Sequence, residues 1–155
     1  MKSLVIMGVS GSGKTTVGKL LAQKTGSRFL DGDDFHPPEN VAKMSSGIPL
    51  TDHDRQGWLE TLATIIHEAD DLTIIACSAL KASYREILKE TVFIFLHGSP
   101  ELLADRIKQR SGHYMPPGLL QSQLETLEIP TDALALNVVE SPNTLVDRII
   151  THFNL

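Results

Sequence analysis

Two patterns of hydrophobic and polar positions alternate along the chain. Short runs rich in apolar residues, the pattern of strands buried in a parallel sheet, occur at 3–7, 28–30, 72–77, 92–96 and 134–139. Between them, apolar residues recur at helical spacing, which predicts helices at 14–25, 39–44, from about 52, from about 81 to 90, and at 100–110, 119–128 and 142–153. Strands that alternate with helices predict an α/β fold, with a mostly parallel five-stranded sheet covered by helices on both faces.

The first predicted strand leads directly into a glycine-rich loop. Residues 8–15 read Gly-Val-Ser-Gly-Ser-Gly-Lys-Thr, the G-x-x-x-x-G-K-[ST] pattern of a phosphate-binding loop. Glycines let backbone N–H groups turn toward an anion, Lys14 reaches the β- and γ-phosphates, and the Thr15 hydroxyl binds Mg²⁺. A chance match is disfavoured because strand, loop and helix occur in the required order. The predicted contacts to bound ATP come from Gly8, Ser10, Gly11, Ser12, Gly13, Lys14, Thr15 and Thr16.

Composition narrows the class of protein. A chain of 155 residues suits one domain, here 1–155. The net charge of −5 offers no general attraction to nucleic acid or to an anionic membrane, and the apolar runs are too short to cross a bilayer. The single cysteine, Cys77, excludes an internal disulfide and fits a reducing compartment. Because no signal peptide precedes the first strand, we expect a cytoplasmic, single-domain protein.

Two carboxylates follow the second predicted strand, where open α/β sheets bind their ligands. Asp31 and Asp33 flank Gly32, and on an extended chain this spacing places both side chains on one side. We predict that Asp31 faces the Mg²⁺ ion and that Asp33 orients or deprotonates an acceptor hydroxyl. The strand at 72–77 ends in cysteine rather than in a metal-binding aspartate, so the metal carboxylate must come from elsewhere. The alternative is an ordinary acidic turn.

Basic side chains near these loops are candidates for binding an anionic acceptor. Solvated surface is the usual place of such residues, yet Lys81 follows a strand end and Arg85 lies one helical turn further on. His36 could donate a hydrogen bond to a polyhydroxy acceptor. The alternative is a loop histidine with no functional role. Trp58 lies on an apolar helix stripe and is predicted to belong to the core. The candidate cations are Lys43, Arg55, Lys81 and Arg85.

A segment interrupted by glycine and proline, at about 110–118, is a candidate lid. Arg106 and Arg110 lie four residues apart on one helix face just before it. Closure would bring guanidinium charge to the β- and γ-phosphates and expel water. The alternative is a surface loop with two solvated arginines. Residues that could support the closed lid are Gln123, Glu125 and Glu128.

Taken together, these motifs resemble the gluconate kinases (gluconokinases) of the small P-loop type. The resemblance runs from the first strand to about residue 130. Many kinases share the phosphate loop, whereas Asp-Gly-Asp followed by His-Pro, joined to Cys-Ser-Ala-Leu-Lys, is much more specific. The matching positions are 8–15, 31–33, 36–37, 40, 43–44, 47, 49–50, 52, 54–55, 58–59, 77–81, 84–85, 106, 110, 112–113 and 123–128.

The resemblance implies phosphorylation of D-gluconate by ATP and Mg²⁺ at the 6-hydroxyl, giving 6-phosphogluconate. It implies a three-layer fold like that of nucleoside monophosphate kinases, with a closing lid. It also favours Asp33, His36, Lys81 and Arg85 as acceptor-site residues and Arg110 as a lid cation. The expected catalytic residues are Lys14, Asp33 and Arg110, and His113 is a further substrate-binding candidate. Similar enzymes are often homodimers.

Two other readings of the sequence remain open at this point. Another small-molecule kinase of this fold could phosphorylate shikimate or a nucleotide, although a shikimate site should carry a glycine-rich strand end at the position of residues 78–81. A non-catalytic ATP-binding switch would bind nucleotide without turning over any acceptor.

Overall fold

The computed structural model describes residues 1–109 and 118–155 and confirms the predicted parallel sheet. Five strands pair in the order β2-β3-β1-β4-β5, and all four neighbouring pairs are parallel. Each strand lies within about two residues of its predicted bounds. The strands are β1 Ser3–Met7, β2 Arg28–Asp31, β3 Thr73–Ala76, β4 Val92–His97 and β5 Leu134–Asn137.

Helices connect the strands and cover both faces of the sheet, as the alternating pattern predicts. Successive residues of β1 point to opposite faces, so Leu4 and Ile6 join one core cluster while Val5 and Met7 join the other. The first cluster includes side chains of α1 and α7, and the second includes those of α3 and α4. The helices are α1 Lys14–Thr25, α2 Pro38–Ser45, α3 Asp52–Glu68, α4 Ala82–Ile87, α5 Pro100–Gln109, α6 Leu119–Thr126 and α7 Pro142–Phe153.

The start of α3 differs from the sequence-based expectation. Asp52 was expected to cap this helix, but Thr51 is the N-cap. The Thr51 hydroxyl accepts the backbone N–H of Asp54 at 3.1 Å, and the Asp54 carboxylate accepts that of Thr51 at 2.9 Å. This reciprocal capping box satisfies two backbone donors, which explains why the helix begins one residue after Thr51.

The chain directly after β2 also differs from the expectation. Residues Gly32–Phe35 form a short 3₁₀ helix instead of continuing in extended conformation. The argument that an extended chain places Asp31 and Asp33 on one side was therefore wrong, and their relative position is set by the turn described below.

The strand order brings three loops together at one edge of the sheet. Because β2, β3 and β1 are neighbours and parallel, the chain segments that follow them emerge side by side. The predicted lid at 110–118 lies outside the described residues except for Gly118, which is the N-cap of α6. Within residues 1–109 and 118–155, no helix has both the length and the apolar character that a membrane span requires.

Candidate active site

The phosphate-binding loop after β1 adopts a curled conformation. Gly11 and Gly13 have φ angles of 82° and 92°, values that favour glycine. A side chain at Gly11 would also place its Cβ 2.8 Å from Ile107 and 3.0 Å from the carbonyl oxygen of Leu103. Glycine at position 11 therefore lets α5 approach the loop closely, so the loop lies between α1 and α5.

The N-terminus of α1 has the properties of an anion site. Its N-cap is Gly13, no side chain of the described residues caps it, and its first turn contains no acidic residue. The helix dipole and the backbone N–H groups of a first turn favour a bound anion. Lys14 Nζ donates to the carbonyl oxygen of Val9 at 3.1 Å, which holds the lysine side chain along the loop.

A cavity of about 1070 Å³ opens at this loop. Its walls contain residues from the phosphate loop after β1, from the ends of β2 and β3 and from several helices. A smaller cavity of about 620 Å³ lies elsewhere, between the turns at 25–28 and 68–73, remote from the phosphate loop. The predicted site residues that line the larger cavity are Ser10, Gly11, Ser12, Gly13, Lys14, Thr15, Thr16, Asp31, Asp33, His36, Arg55 and Arg106.

Four predicted site residues are not part of this lining. They are Gly8, Lys43, Lys81 and Arg85. Gly8 lies at the base of the loop, where its N–H donates to the carbonyl oxygen of Ser78 at 3.3 Å. Arg110 and His113 lie outside the described residues, so their predicted roles in the lid stay predictions.

The two carboxylates after β2 lie on the wall of the cavity with different partners. Asp31 Oδ1 accepts the backbone N–H of Asp33 at 3.0 Å and thereby caps the 3₁₀ helix. The side chain of Asp33 is 82% exposed to the cavity. The surrounding walls still remove part of its hydration, and this desolvation, together with the nearby charge of Asp31, raises the pKa of Asp33.

His36 lies beside Asp33 and is held by an aromatic stack. Its ring packs on Trp58 with a centroid distance of 4.1 Å and an angle of 18° between the planes. Trp58 is buried, as predicted for a core residue, and its Nε1–H donates to the carbonyl oxygen of Gly32 at 2.7 Å. Burial lowers the pKa of His36, which favours the neutral imidazole. Sequence reasoning missed that Trp58 also supports the turn.

Ion pairs within the chain hold two of the four predicted cations. Lys43 Nζ lies 2.8 Å from Asp54 Oδ2, and Lys81 Nζ lies 3.1 Å from Asp52 Oδ1. The pKa of Asp52 is lowered by the hydrogen bond from the hydroxyl of Tyr84 and then by that from Lys81. These contacts tie α2 and the start of α4 to the first turn of α3.

The two arginines have different surroundings. Arg85 donates to the carbonyl oxygens of Ala79 and Glu128 at 2.7 and 2.8 Å. Arg55 donates to the carbonyl oxygen of Leu50 at 2.7 Å and to the hydroxyl of Tyr84 at 3.3 Å. Of the four predicted cations, Arg55 is therefore the one that lines the cavity.

On the opposite wall, α5 and α6 contact the phosphate loop. Arg106 lines the cavity and donates to the carbonyl oxygen of Val138. Gln123 Oε1 accepts the backbone N–H of Ser10 at 2.7 Å, so this glutamine binds the phosphate loop directly. Glu128 Oε1 instead accepts the N–H of Ala82 at 2.6 Å.

Apolar side chains from α2 and the following loop form part of the rim, with Leu119 of α6 also in the lining. The resemblance includes positions 44, 49 and 50, but their place in the cavity was not predicted because exposed apolar residues carry no chemical signature. They are Met44, Ile48, Pro49 and Leu50.

A parallel sheet with a phosphate loop at the N-terminus of α1, and an acidic turn across one cavity, defines the class of P-loop small-molecule kinases. A family model described as "Shikimate kinase" matches residues 10–131. The chain is 45% identical to the gluconokinase of Gluconobacter oxydans, over 97% of this chain and 90% of that protein.

Solved structures support the same class of protein. A crystal structure of a gluconokinase from Sinorhizobium meliloti has a TM-score of 0.88 at 46% identity and covers 97% of this chain and 90% of that one. A shikimate kinase from Bacteroides thetaiotaomicron has a TM-score of 0.74 at 19% identity, with 99% of each chain covered; this likeness shows the fold alone. The chain belongs to the gluconokinase family, within the broader shikimate kinase family of P-loop kinases.

Proposed function

We infer that this protein transfers the γ-phosphoryl group of ATP to the 6-hydroxyl of D-gluconate, giving ADP and 6-phospho-D-gluconate. The observation that carries the proposal is that Lys14 and Asp33 line the same cavity in a chain 45% identical to a gluconokinase. Transfer to a sugar acid needs a phosphate site and a hydroxyl-orienting carboxylate within reach of one another.

The residues present fit a complex of ATP with Mg²⁺. The N-terminus of α1 lacks a side-chain cap within the described chain, so phosphate oxygens can take that position. Thr15 and Asp31 both line the cavity and offer the hard oxygen ligands that Mg²⁺ prefers. Bound Mg²⁺ would neutralise charge that develops on the phosphates.

At the acceptor end, Asp33 orients the attacking hydroxyl and accepts its proton. His36 and Arg55, which also line the cavity, supply a hydrogen-bond donor and a positive charge for a polyhydroxy carboxylate. Lys43, Lys81 and Arg85 stay predictions as substrate contacts. In the structure they bind Asp54, Asp52 and backbone carbonyl oxygens, and a role in binding would require them to exchange these partners.

Arginine side chains complete the proposed transfer. Arg106 lines the nucleotide side of the cavity. Arg110 and His113 belong to the proposed lid, where Arg110 would stabilise the transferring phosphoryl group. The cytoplasmic location expected from the sequence and the homodimer implied by the resemblance also stay predictions.

The direct test is ADP release with Mg²⁺–ATP and a panel of acceptors. We expect turnover of about 1–100 s⁻¹ with D-gluconate and only background ADP release with shikimate or without acceptor. Equal or better turnover with shikimate would contradict the proposed acceptor. ATP binding without turnover of any acceptor would contradict the proposed kinase reaction.

A further inference from the structure

Asn40 is a buried polar residue of α2 that none of the arguments above explains. It is 3% exposed, and a buried amide requires hydrogen-bond partners. Its Nδ2 group has two. It donates to the carbonyl oxygen of Asp54 at 2.9 Å and lies 3.1 Å from Nδ1 of His36.

The partner on α3 determines how the Asn40 amide is oriented. A backbone carbonyl oxygen can only accept a hydrogen bond, so the amide atom that faces Asp54 must be the NH₂ group. The same nitrogen faces His36 and has a second hydrogen to donate. His36 Nδ1 must therefore be the acceptor, and in a neutral imidazole the proton then lies on Nε2.

The second ring nitrogen of His36 faces the acceptor side of the site. His36 Nε2 lies 4.0 Å from Asp33 Oδ1, too far for a direct hydrogen bond. One oxygen atom at hydrogen-bonding distance from both can bridge this gap. The stack on Trp58 fixes the plane of the ring, and the side chain of His36 is only 4% exposed.

We propose that Asn40 is a positioning residue that holds His36 in the neutral tautomer with its proton on Nε2, so that His36 and Asp33 together bind one hydroxyl group of the acceptor. A hydroxyl both accepts and donates one hydrogen bond, so it matches a pair that consists of one donor and one acceptor. A carboxylate or phosphate oxygen would meet the negative charge of Asp33 without a proton to donate. The proposal rests on the proposed function.

The charges around His36 agree with a neutral ring. Burial lowers the pKa of His36, the carboxylate of Asp33 opposes this, and the charge of Arg55 adds to the lowering. The hydrogen bond from Asn40 requires a neutral ring, because a protonated Nδ1 could not accept it.

The first test measures the tautomer in the free protein and needs no turnover. We expect long-range ¹H–¹⁵N NMR spectra near neutral pH to show the proton of His36 on Nε2. In Asn40→Asp, a carboxylate faces Nδ1 and should move the proton to that nitrogen or leave the ring charged. His67 and His152 report on unrelated sites in the same spectra. Lys43→Gln is a matched control, because it removes a neighbouring contact between α2 and α3 and should leave the tautomer unchanged.

A wild-type ring with its proton on Nδ1, or with both nitrogens protonated, would overturn the proposal even if Asn40→Asp did not fold.

The second test compares two amides at position 36. The amide nitrogen of glutamine can replace Nε2, whereas that of asparagine is too short to reach it. We expect His36→Gln to keep kcat/KM within about fivefold of the wild type and His36→Asn to lose about tenfold or more.

Equal losses in the two His36 variants, or a larger loss in His36→Gln, would overturn the role of the Nε2 proton. Failure of the proposed function looks different. In that case the wild type itself would not turn over D-gluconate, while the NMR spectra would still report the tautomer.

Discussion

Asp31 and Asp33 are two residues apart, yet their carboxylates have different surroundings. Asp31 is anchored, because its Oδ1 accepts the backbone N–H of Asp33. Asp33 projects into the cavity, and desolvation and the charge of Asp31 raise its pKa. A carboxylate with a raised pKa is a better proton acceptor, so the turn itself distinguishes the two proposed roles.

Asp33→Asn should leave ATP binding nearly intact and lower turnover by about 10²–10⁴-fold, the usual contribution of a general base. Asp34→Asn is the matched control, because it removes the adjacent carboxylate outside the cavity lining and should retain activity. ATP affinity and kcat are measured for each variant. Comparable losses of kcat in Asp33→Asn and Asp34→Asn would mean that the local negative charge matters rather than the Asp33 carboxylate itself.

The same mechanism predicts the pH dependence. Asp33 must be ionised to accept a proton, so kcat/KM should fall as the pH decreases through its pKa. Because that pKa is raised, the fall should occur above 3.8, the ordinary value for aspartate. An acid limb that persists unchanged in Asp33→Asn would assign it to another group.

Two helical glycines differ in the space around their α-carbons. Gly57 lies in α3, and among the described residues a Cβ at this position would meet no atom within 4 Å apart from its chain neighbours and the adjacent backbone of its own helix. Gly18 lies in α1 beneath Phe29, where a Cβ would come within 2.5 Å of the aromatic ring. Helix propensity favours alanine at both positions, but packing permits it at only one.

Gly57→Ala should therefore stabilise the protein by about 1 kcal/mol, while Gly18→Ala should destabilise it by about 1–3 kcal/mol through overpacking. Urea unfolding of both variants measures the two free energies. Each variant is the control for the other, since the substitution and the type of element are the same. Stabilisation of similar size in both would show that Phe29 moves aside without loss.

The parallel sheet as a whole determines access to Cys77. This residue follows β3 and is 2% exposed, and burial raises the pKa of its thiol to about 12. Reaction with a thiol reagent requires an exposed thiolate. Cys77 also lines the cavity at the phosphate loop, so it should react when this part of the cavity wall opens.

Labelling of Cys77 at pH 8 should be slow, at a rate set by the fraction of the protein that is open. The fluorescence of Trp58, the only tryptophan in the sequence, follows the same opening. Mg²⁺–ATP at a hundredfold excess over its Kd should slow labelling about a hundredfold or more, because it stabilises the folded state and occupies the cavity that Cys77 lines. Labelling as fast as that of the denatured protein, with or without nucleotide, would contradict the buried position.

Local patterns in the sequence determined much of this protein. The apolar runs predicted the five strands, and the glycine-rich motif predicted the loop between β1 and α1, because burial and phosphate binding select residue types within a few positions. The resemblance to gluconokinases rested on such short motifs, and the comparisons with known proteins confirmed it.

Contacts between distant parts of the chain determine which side chains reach the cavity. Lys81 was a candidate by its place after a strand, but Asp52, 29 residues away in sequence, binds it. Asn40 was only a matching position of the resemblance, and its role was not predicted because its partners, His36 and Asp54, lie on different elements. A long side chain finds its partner through the packing of elements, and the spacing of residues along the chain does not contain that information.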